Sequence, residues 1–205
     1  QASSATDASE AAAGWYWQFN RKQGYKHDGV TRTPGTALAS ITETSDWVAA
    51  NDPCAIELGT DWRIPTITEW LSADANGQVG GWSNYTETYN DVLKLHASGY
   101  LANGTGSLTD RGVGGYFYSS TQIFAGQARN MQFMAAISSS YNPNKNQAHT
   151  LRCLKDPCPA PEPPAIITGT TAQGPGMTGQ VYSISAVSGA TDYTWTVPTG
   201  WTITA

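Results

Sequence analysis

The C-terminal part of the chain shows the clearest alternation of hydrophobic and polar positions. In residues 166–205 the segments QVYSISAV, DYTWTV and WTIT alternate β-forming and polar residues, and the turn-forming segments SGAT and PTG separate them. A period of two places successive side chains on opposite faces of a strand. The pattern therefore predicts three or four short strands in an all-β module.

The part of the chain before residue 157 mixes strand-like and helix-like patterns. The segments GYFYSSTQIF, ARNMQFMAAI and HTLRCLKD are rich in residues that favour strands. The segment TETSDWVAANDPCAIELG predicts a helix that Ser45 caps and that Pro53 interrupts or restarts. This mixture predicts an α+β domain.

The segment DWRIPTITEW, residues 61–70, predicts the start of a helix. Thr66 and Glu69 have the spacing of a capping box, in which each side chain bonds the backbone N–H of the other residue. Pro65 holds the preceding chain extended, and Trp70 falls on the first turn. We therefore interpret Glu69 as a structural residue, with Arg63 as its partner or as a partner of backbone carbonyls.

A proline-rich segment, KDPCPAPEPPA at residues 155–165, predicts a boundary. Several prolines in a short run suit neither a helix nor the interior of a sheet, and they hold the chain extended. The small, polar first residues predict a flexible lead-in. The predicted organisation is a lead-in at 1–13, a domain at 14–156, a linker at 157–165 and a truncated β module at 166–205.

Composition and charge exclude some classes of partner. Only 13% of the residues are charged, the net charge is −5, and glycine and aromatic residues are abundant. Nucleic acids and anionic membranes attract basic surfaces, so neither is expected as a partner. No apolar run approaches the length of a membrane span, and membrane insertion is not expected. The composition is typical of a loop-rich extracellular protein.

The chain contains three cysteines, Cys54, Cys153 and Cys158. A Cys54–Cys153 disulfide would close a loop of roughly 100 residues and stabilise the fold by about 4 kcal/mol in the chain-entropy description. We favour this pairing, which leaves Cys158 unpaired. A Cys153–Cys158 pair and three free thiols are the alternatives. Three cysteines without a histidine at ligand spacing make a poor zinc site.

Three sequence blocks resemble the C-type-lectin-like fold, and more narrowly the domain named after the major paralogous family of Fibrobacter succinogenes. The blocks are CAIELGTDWRIPTITEW, GYFYSSTQ and LRCLKD, and they follow one another in the family's order. The resemblance covers roughly residues 14–156 and also implies the Cys54–Cys153 disulfide. It implies two helices and a twisted antiparallel sheet, with structural roles for Trp62, Arg63, Thr66, Glu69 and Trp70.

The segment after the linker resembles the first half of the PKD and immunoglobulin-like modules of bacterial surface proteins. A complete sandwich of that type needs about seven strands, so we expect this module to be truncated or completed by a partner. Together the two resemblances imply a secreted or cell-surface bacterial protein.

We expect no catalytic residues. The wider family includes the sulfatase-modifying, formylglycine-generating enzymes, whose chemistry uses paired reactive cysteines, and the sequence offers no such free pair. The three histidines, His27, His96 and His149, lack a nucleophile motif such as GxSxG, and no carboxylate pair suggests a glycosidase. Each histidine is interpreted as a surface or hydrogen-bonded residue.

We expect no cofactor and no metal ligand. Calcium-dependent sugar binding in this fold uses a Glu-Pro-Asn loop and a Trp-Asn-Asp strand. The segment YNPN at residues 141–144 lacks the glutamate, and the chain has no Trp-Asn-Asp. A structural calcium ion elsewhere remains an open alternative.

The segment 122–149 is the predicted binding surface. Its alternation places Met131 and Phe133 inward and Asn130 and Gln132 outward. Tyr, Ser and Asn are the residues that adaptable binding surfaces favour, although they are also ordinary loop residues. The candidate ligand-binding residues are Phe124, Gln127, Arg129, Asn130, Gln132, Tyr141, Asn142, Asn144, Asn146 and His149.

The predicted function is non-catalytic ligand recognition or adhesion, with a protein or glycan on another cell or surface as partner. Domains of this fold include the variable proteins of diversity-generating retroelements, and adenine-rich templates yield residues such as the Asn, Tyr and Ser of segment 122–149. An enzyme of the sulfatase-modifying type and a structural spacer are the alternatives.

Overall fold

The computed structural model describes residues 1–36, 38–77, 80–157, 166–170, 174 and 176–204. The chain divides into two compact units, Gln1–Asp156 and Pro157–Ala205. The first unit combines several short helices with antiparallel sheets and is mostly sheet. The α+β class predicted from the mixed sequence pattern therefore describes the first unit.

Short helices connect the sheets of the first unit. They are α1 Glu10–Ala13, a 3₁₀ turn at Ala49–Asn51, α2 Pro53–Leu58, α3 Ile67–Gly77 and α4 Tyr85–Asn90. The described part of the chain thus has four α-helices rather than the two that the resemblance implies, and only α3 is longer than six residues.

The cap before α2 differs from the prediction. Pro53 does start a helix, but the cap is Asp52 and not Ser45. Buried Asp52 accepts hydrogen bonds from the backbone N–H of Cys54 at 2.8 Å and of Ile64 at 2.9 Å. A carboxylate that satisfies two buried N–H groups stabilises the helix start more than a serine hydroxyl placed earlier in the chain.

Eleven strands form three antiparallel sheets in the described residues. The sheet orders are β3-β2-β1-β10-β5-β6, β7-β8-β9 and β4-β11. The strands are β1 Tyr16–Gln18, β2 Gly24–His27, β3 Arg32–Thr33, β4 Trp62–Arg63, β5 Tyr100–Leu101, β6 Leu108–Thr109, β7 Gly115–Phe124, β8 Gln127–Phe133, β9 Ser138–Tyr141, β10 Ala148–His149 and β11 Leu154–Lys155.

The predicted strand HTLRCLKD is divided in two. His149 ends β10 in the six-stranded sheet, whereas Leu154 begins β11 in the two-stranded sheet. Between them, Thr150 accepts a hydrogen bond from the backbone N–H of Tyr118 at 3.2 Å. This contact ties β7 to the segment that follows β10 and brings the two larger sheets together.

Three aromatic-rich clusters form the core. One lies around Tyr16 and Tyr25, one around Phe19, Trp47 and Tyr118, and one around Trp70 and Phe133. Met131 and Phe133 are fully buried in the third cluster, as the alternation in β8 predicts. The second and third clusters lie on opposite sides of the β7-β8 pair, because Tyr118 and Ala128 belong to the second and Phe117 and Met131 to the third.

The distant ends of the first unit are joined near DWRIPTITEW. A disulfide links Cys54 to Cys153, which confirms that pairing, and β4 pairs with β11 through Arg63 opposite Leu154. Cys158 lies outside the described residues. The first and third sequence blocks therefore meet in space although the cysteines are 99 positions apart.

The first thirteen residues differ from the expected flexible lead-in. Ala2 and Ala13 are buried, and Glu10–Ala13 forms α1. Ala5 accepts a hydrogen bond from the N–H of Ala97 at 2.7 Å, and Ala2 accepts one from the Tyr89 hydroxyl at 2.8 Å. These residues are packed because they satisfy backbone and hydroxyl groups of the domain.

The second unit has one β-bridge among its described residues, between Thr168 and Ser183. Reciprocal N–H to carbonyl bonds of 2.9 Å form it. The strands predicted for QVYSISAV, DYTWTV and WTIT are absent from residues 166–170, 174 and 176–204. An alternating pattern becomes a strand only where a neighbouring strand completes its hydrogen bonds, and here a single bridge does so.

Candidate functional site

A pocket of about 310 Å³ lies where the β7-β8-β9 sheet meets β5 and β10. Its described lining combines aromatic rings with side-chain amides. The lining residues are Tyr100, Tyr116, Asn130, Gln132, Met134, Tyr141, Pro143, Gln147 and His149. All nine are uncharged types at neutral pH, provided that His149 is neutral.

The strands place Asn130 in the lining of this pocket. Asn130 pairs with Tyr118 of β7 on one side and with Tyr141 of β9 on the other. Directly opposed residues of antiparallel strands have neighbouring side chains. Asn130 is fully buried, which contradicts the expected outward exposure. Asn130 and Met131 lie on opposite faces of the sheet, as the alternation predicts. The face that carries Asn130, however, is covered by β10 and is not exposed to solvent.

Three tyrosines surround the imidazole of His149. Its ring stacks on Tyr118 at a centroid distance of 4.3 Å, and it lies 5.5 Å from Tyr100 and 5.8 Å from Tyr116. Burial lowers the pKa of His149 to about 3, because the enclosed site disfavours the charged imidazolium. His149 is therefore neutral at physiological pH.

Both ring nitrogens of His149 have amide partners. Asn130 Nδ2 lies 3.2 Å from His149 Nδ1, and Gln147 Oε1 lies 3.2 Å from His149 Nε2. An amide NH₂ can only donate, so Nδ1 accepts and the imidazole proton is on Nε2, where it bonds Gln147 Oε1. The result is a directed chain of hydrogen bonds from Asn130 through His149 to Gln147.

The carbonyl oxygen of Asn130 has no hydrogen-bond partner, although it is buried. An unsatisfied buried polar atom costs about 1–3 kcal/mol, and such atoms are rare in folded proteins. Tyr141, its cross-strand neighbour, is 56% exposed. Asn130 Oδ1 is therefore an unused hydrogen-bond acceptor in the lining of the pocket.

Two tyrosines of the pocket, Tyr100 and Tyr116, are held in the protonated form. Burial raises the pKa of Tyr116, and the carboxylate of Asp110, which accepts the Tyr116 hydroxyl hydrogen at 2.6 Å, raises it further. Burial likewise raises the pKa of Tyr100, and Asp110 adds to the effect. Tyr100, Tyr116 and the neutral His149 therefore offer hydrogen bonds and ring surfaces.

The structure brings together four of the ten predicted ligand-binding residues, namely Asn130, Gln132, Tyr141 and His149. The other six do not line the pocket. Phe124 is exposed at the end of β7, and Asn144 is exposed in the loop after β9. The remaining four are Gln127, Arg129, Asn142 and Asn146.

Five lining residues were missed from the sequence. Tyr116 could have been found by extending the alternation of β7, because Tyr116 and Tyr118 lie two positions apart and both approach His149. Gln147 stands two residues before His149. Tyr100, Met134 and Pro143 carry no comparable local signal.

The capping segment has the structural role predicted for it. The N–H of Thr66 donates to Glu69 Oε2 at 2.8 Å, and the N–H of Glu69 donates to Thr66 Oγ1 at 3.3 Å. Arg63 pairs with Glu69 at 2.5 and 2.7 Å and also with Asp156 at 2.8 Å. Trp70 is buried and donates its indole N–H to the carbonyl of Tyr118, whereas Trp62 is half-buried on β4.

A second pocket, of about 420 Å³, lies beside this segment. Its charged lining residues are Asp52, Arg63 and Asp156. Each of them already serves the helix caps and ion pairs described above, which makes this pocket a part of the scaffold. Elsewhere in the described residues, no group of three or more His, Cys, Asp or Glu side chains could hold a metal ion.

Comparison with known proteins identifies one part of the chain. Residues 160–205 match a PKD-like domain, and such domains, which resemble immunoglobulin domains, are typically extracellular. No curated protein and no solved structure matches the chain. No helix in the described ranges is long and apolar enough to cross a membrane.

Proposed function

We propose that the chain is a non-catalytic, extracellular module for ligand binding or adhesion, and that the pocket between β8, β9 and β10 is its binding site. The observation that carries this proposal is the carbonyl oxygen of Asn130, which is buried at the pocket without a partner. Aromatic rings from four strands and the neighbouring amides line the same pocket, and such a mixture of apolar and oriented polar groups is typical of ligand pockets.

We further propose that residues 14–156 form a C-type-lectin-like domain of the Fibrobacter paralogous type. Contacts between the three sequence blocks support this proposal. Cys54 and Cys153 are bonded, and Arg63 of the first block pairs with Asp156 of the third. The backbone of Ser120, in the second block, donates to the carbonyl of Pro65 in the first at 2.8 Å.

The same site suits the variable protein of a diversity-generating retroelement, located on a bacterial cell surface. Asn130, Gln132 and Tyr141 lie within the segment 122–149 and line the pocket. This proposal predicts a reverse-transcriptase gene and a near-copy repeat beside the gene, and variation among close relatives confined to that segment. A genome without either element would contradict it.

An enzyme of the sulfatase-modifying type is the less favoured alternative. Cys153 is engaged in the disulfide with Cys54, so it does not supply a free thiol. Thiol titration together with an oxidase assay separates the two proposals. A reactive thiol of low pKa that supports turnover would favour the enzyme.

Arrays of glycans and bacterial surface proteins test the binding proposal directly. The wild-type chain is compared with Tyr141→Ala in the pocket and with Asn144→Ala, a matched control whose exposed side chain lies outside the pocket. We expect a bound array ligand that Tyr141→Ala loses and Asn144→Ala retains. Binding that neither substitution changes would place the site elsewhere, and no bound ligand would favour the spacer alternative.

A further inference from the structure

The arrangement of hydrogen-bond donors and acceptors in the pocket restricts which ligands can bind there. The chain from Asn130 Nδ2 through His149 to Gln147 Oε1 uses the donor of one amide and the acceptor of the other. It leaves Asn130 Oδ1 as an acceptor and the NH₂ of Gln147 as a donor. A complementary ligand must therefore present a donor to Asn130 and an acceptor to Gln147.

The pocket also restricts the charge of the ligand. The nearby carboxylate of Asp110 is occupied by the Tyr116 hydroxyl. An ionised ligand would lose its hydration and find no opposite charge among the nine lining residues, which is unfavourable. None of the nine is an Asp or Glu, the side chains that calcium prefers, so the ligand must contact the protein groups directly.

Size and ring content narrow the class further. The volume of about 310 Å³ lies at the small end of the range for ligand pockets. The exposed ring of Tyr141 stands next to Asn130, and Tyr100 lies close to both Tyr116 and His149. Rings beside a donor and an acceptor suit a compact molecule that has C–H faces and neighbouring hydroxyl groups.

We infer that the pocket binds one neutral sugar unit without a metal ion, with one hydroxyl donating to Asn130 Oδ1 and a neighbouring hydroxyl accepting from Gln147 Nε2. This inference rests on the proposed function and names its ligand class. A hydroxyl group can both donate and accept, so two hydroxyls of one sugar can supply the donor for Asn130 and the acceptor for Gln147. A peptide main chain is the competing ligand, and it is an arm of the test.

Side-chain amide signals of the ¹⁵N-labelled full chain provide the readout. The probes are the methyl glycosides of glucose, mannose, galactose and N-acetylglucosamine, with N-acetylneuraminic acid as the charged control. Acetyl-trialanine amide is the peptide arm, and glycerol controls for weak polyol effects. We expect saturable shifts of the Asn130 and Gln147 amides with at least one neutral glycoside, unchanged by EDTA.

Three variants locate the effect. Gln147→Ala and Asn130→Ala should each weaken glycoside binding about tenfold, because each leaves a ligand hydroxyl unpaired. Asn144→Ala should leave it unchanged. Gln147 is only half-buried and tests the inference even where Asn130→Ala fails to fold.

Results that contradict the sugar inference can be distinguished from results that contradict the proposed function. Loss of binding in EDTA, tighter binding of N-acetylneuraminic acid, or shifts with the peptide but with no glycoside would overturn the neutral-sugar inference. The proposed function would survive the last of these results, because the pocket would still be the site. The absence of shifts with every probe also overturns the sugar inference, and the array comparison with Tyr141→Ala then decides the proposed function by itself.

Discussion

Asn130 Nδ2 and His149 Nδ1 lie 3.2 Å apart and join two different sheets. Asn130 is on the central strand β8 of the three-stranded sheet, whereas His149 is on β10 of the six-stranded sheet. The contact is buried and directs the amide hydrogen bonds of the pocket. The geometry of the proposed site therefore depends on how the two sheets pack together.

The burial of His149 predicts a loss of stability in mild acid. Its pKa is about 3 in the folded protein and 6.5 ordinarily, so below pH 6.5 only the unfolded chain takes up this proton. The free energy of unfolding should fall by about 1 kcal/mol per pH unit between pH 6.5 and pH 3. Urea denaturation across this range measures the slope.

Substitution of His149 tests whether this residue causes the pH dependence of the free energy of unfolding. His149→Phe keeps an aromatic ring against Tyr118 and removes the titrating group, so we expect a lower stability and a flatter pH dependence. His96→Gln should retain most of the slope, because His96 is less enclosed and its pKa is lowered by burial to a smaller extent. Equal slopes in wild type and His149→Phe would disprove the assignment.

The Arg63–Glu69 pair predicts a second effect, at lower pH. Hydrogen bonds from Arg63 lower the pKa of Glu69 to about 2 from 4.5, so its stabilisation is present above pH 4.5 and is lost as the pH falls through 2. The pair is about one-third exposed, and solvent screening reduces its contribution to about 1–2 kcal/mol.

Glu69→Gln tests this effect. It should lower the free energy of unfolding at pH 7 by that amount and remove most of the acid dependence between pH 4.5 and 2. Glu57→Gln, at an exposed position of α2, is the matched control and should change little. A Glu69→Gln variant as stable as the control would show that the charge of Glu69 contributes nothing measurable.

The disulfide predicts a large effect of reduction. It links residues 99 positions apart, and opening a loop of that length costs about 4 kcal/mol in the chain-entropy description. Both the reduced wild type and Cys54→Ser/Cys153→Ser should therefore unfold at lower urea concentration than the oxidised chain. Added reductant should not shift the midpoint of the double variant, which keeps one cysteine of the three. Equal midpoints of the oxidised and the reduced wild type would contradict the predicted stabilisation.

Buried Lys145 predicts a structural role for the loop that supplies Pro143 and Gln147 to the pocket. Its ammonium group donates to the carbonyl of Glu43 at 2.6 Å and to Gln122 Oε1 at 3.2 Å. Lys145→Ala removes both bonds and should cost about 2–4 kcal/mol. Lys22→Ala, at an exposed lysine, should cost less than about 0.5 kcal/mol.

A loop role for Lys145 also predicts weaker ligand binding by the variant, because Gln147 would lose its support. Thermal denaturation and the glycoside titration measure the two effects on the same sample. A Lys145→Ala chain that matches Lys22→Ala in both would contradict the role.

Local interactions could be predicted from the sequence where the partner residues are close together in the chain. Thr66 and Glu69 form the predicted capping box because one helical turn brings them together whatever surrounds them. Pro53 restarts a helix for the same reason, since its fixed φ suits a first turn. The strands around Tyr118 and Met131 followed from residue type and alternation.

Contacts between distant segments were less accessible. Asp156, which lies 93 positions from Arg63, completes the ion-pair cluster. No local sequence pattern predicts this contact. Asp52 replaced Ser45 as the cap because it also bonds Ile64, twelve positions away. The Cys54–Cys153 pair was an exception, because only three cysteines limit the choices.

The sequence by itself determined the helix start at Thr66, the alternation of β8 and the presence of polar and aromatic residues near its C-terminal end. Only the tertiary structure decided which of those residues share a site. Alternation distinguishes the two faces of a strand but cannot show what covers each face. Because β10 packs against β8, the face of β8 that carries Asn130 is buried. The same packing places Tyr100, Tyr116 and Gln147 in one pocket with Asn130.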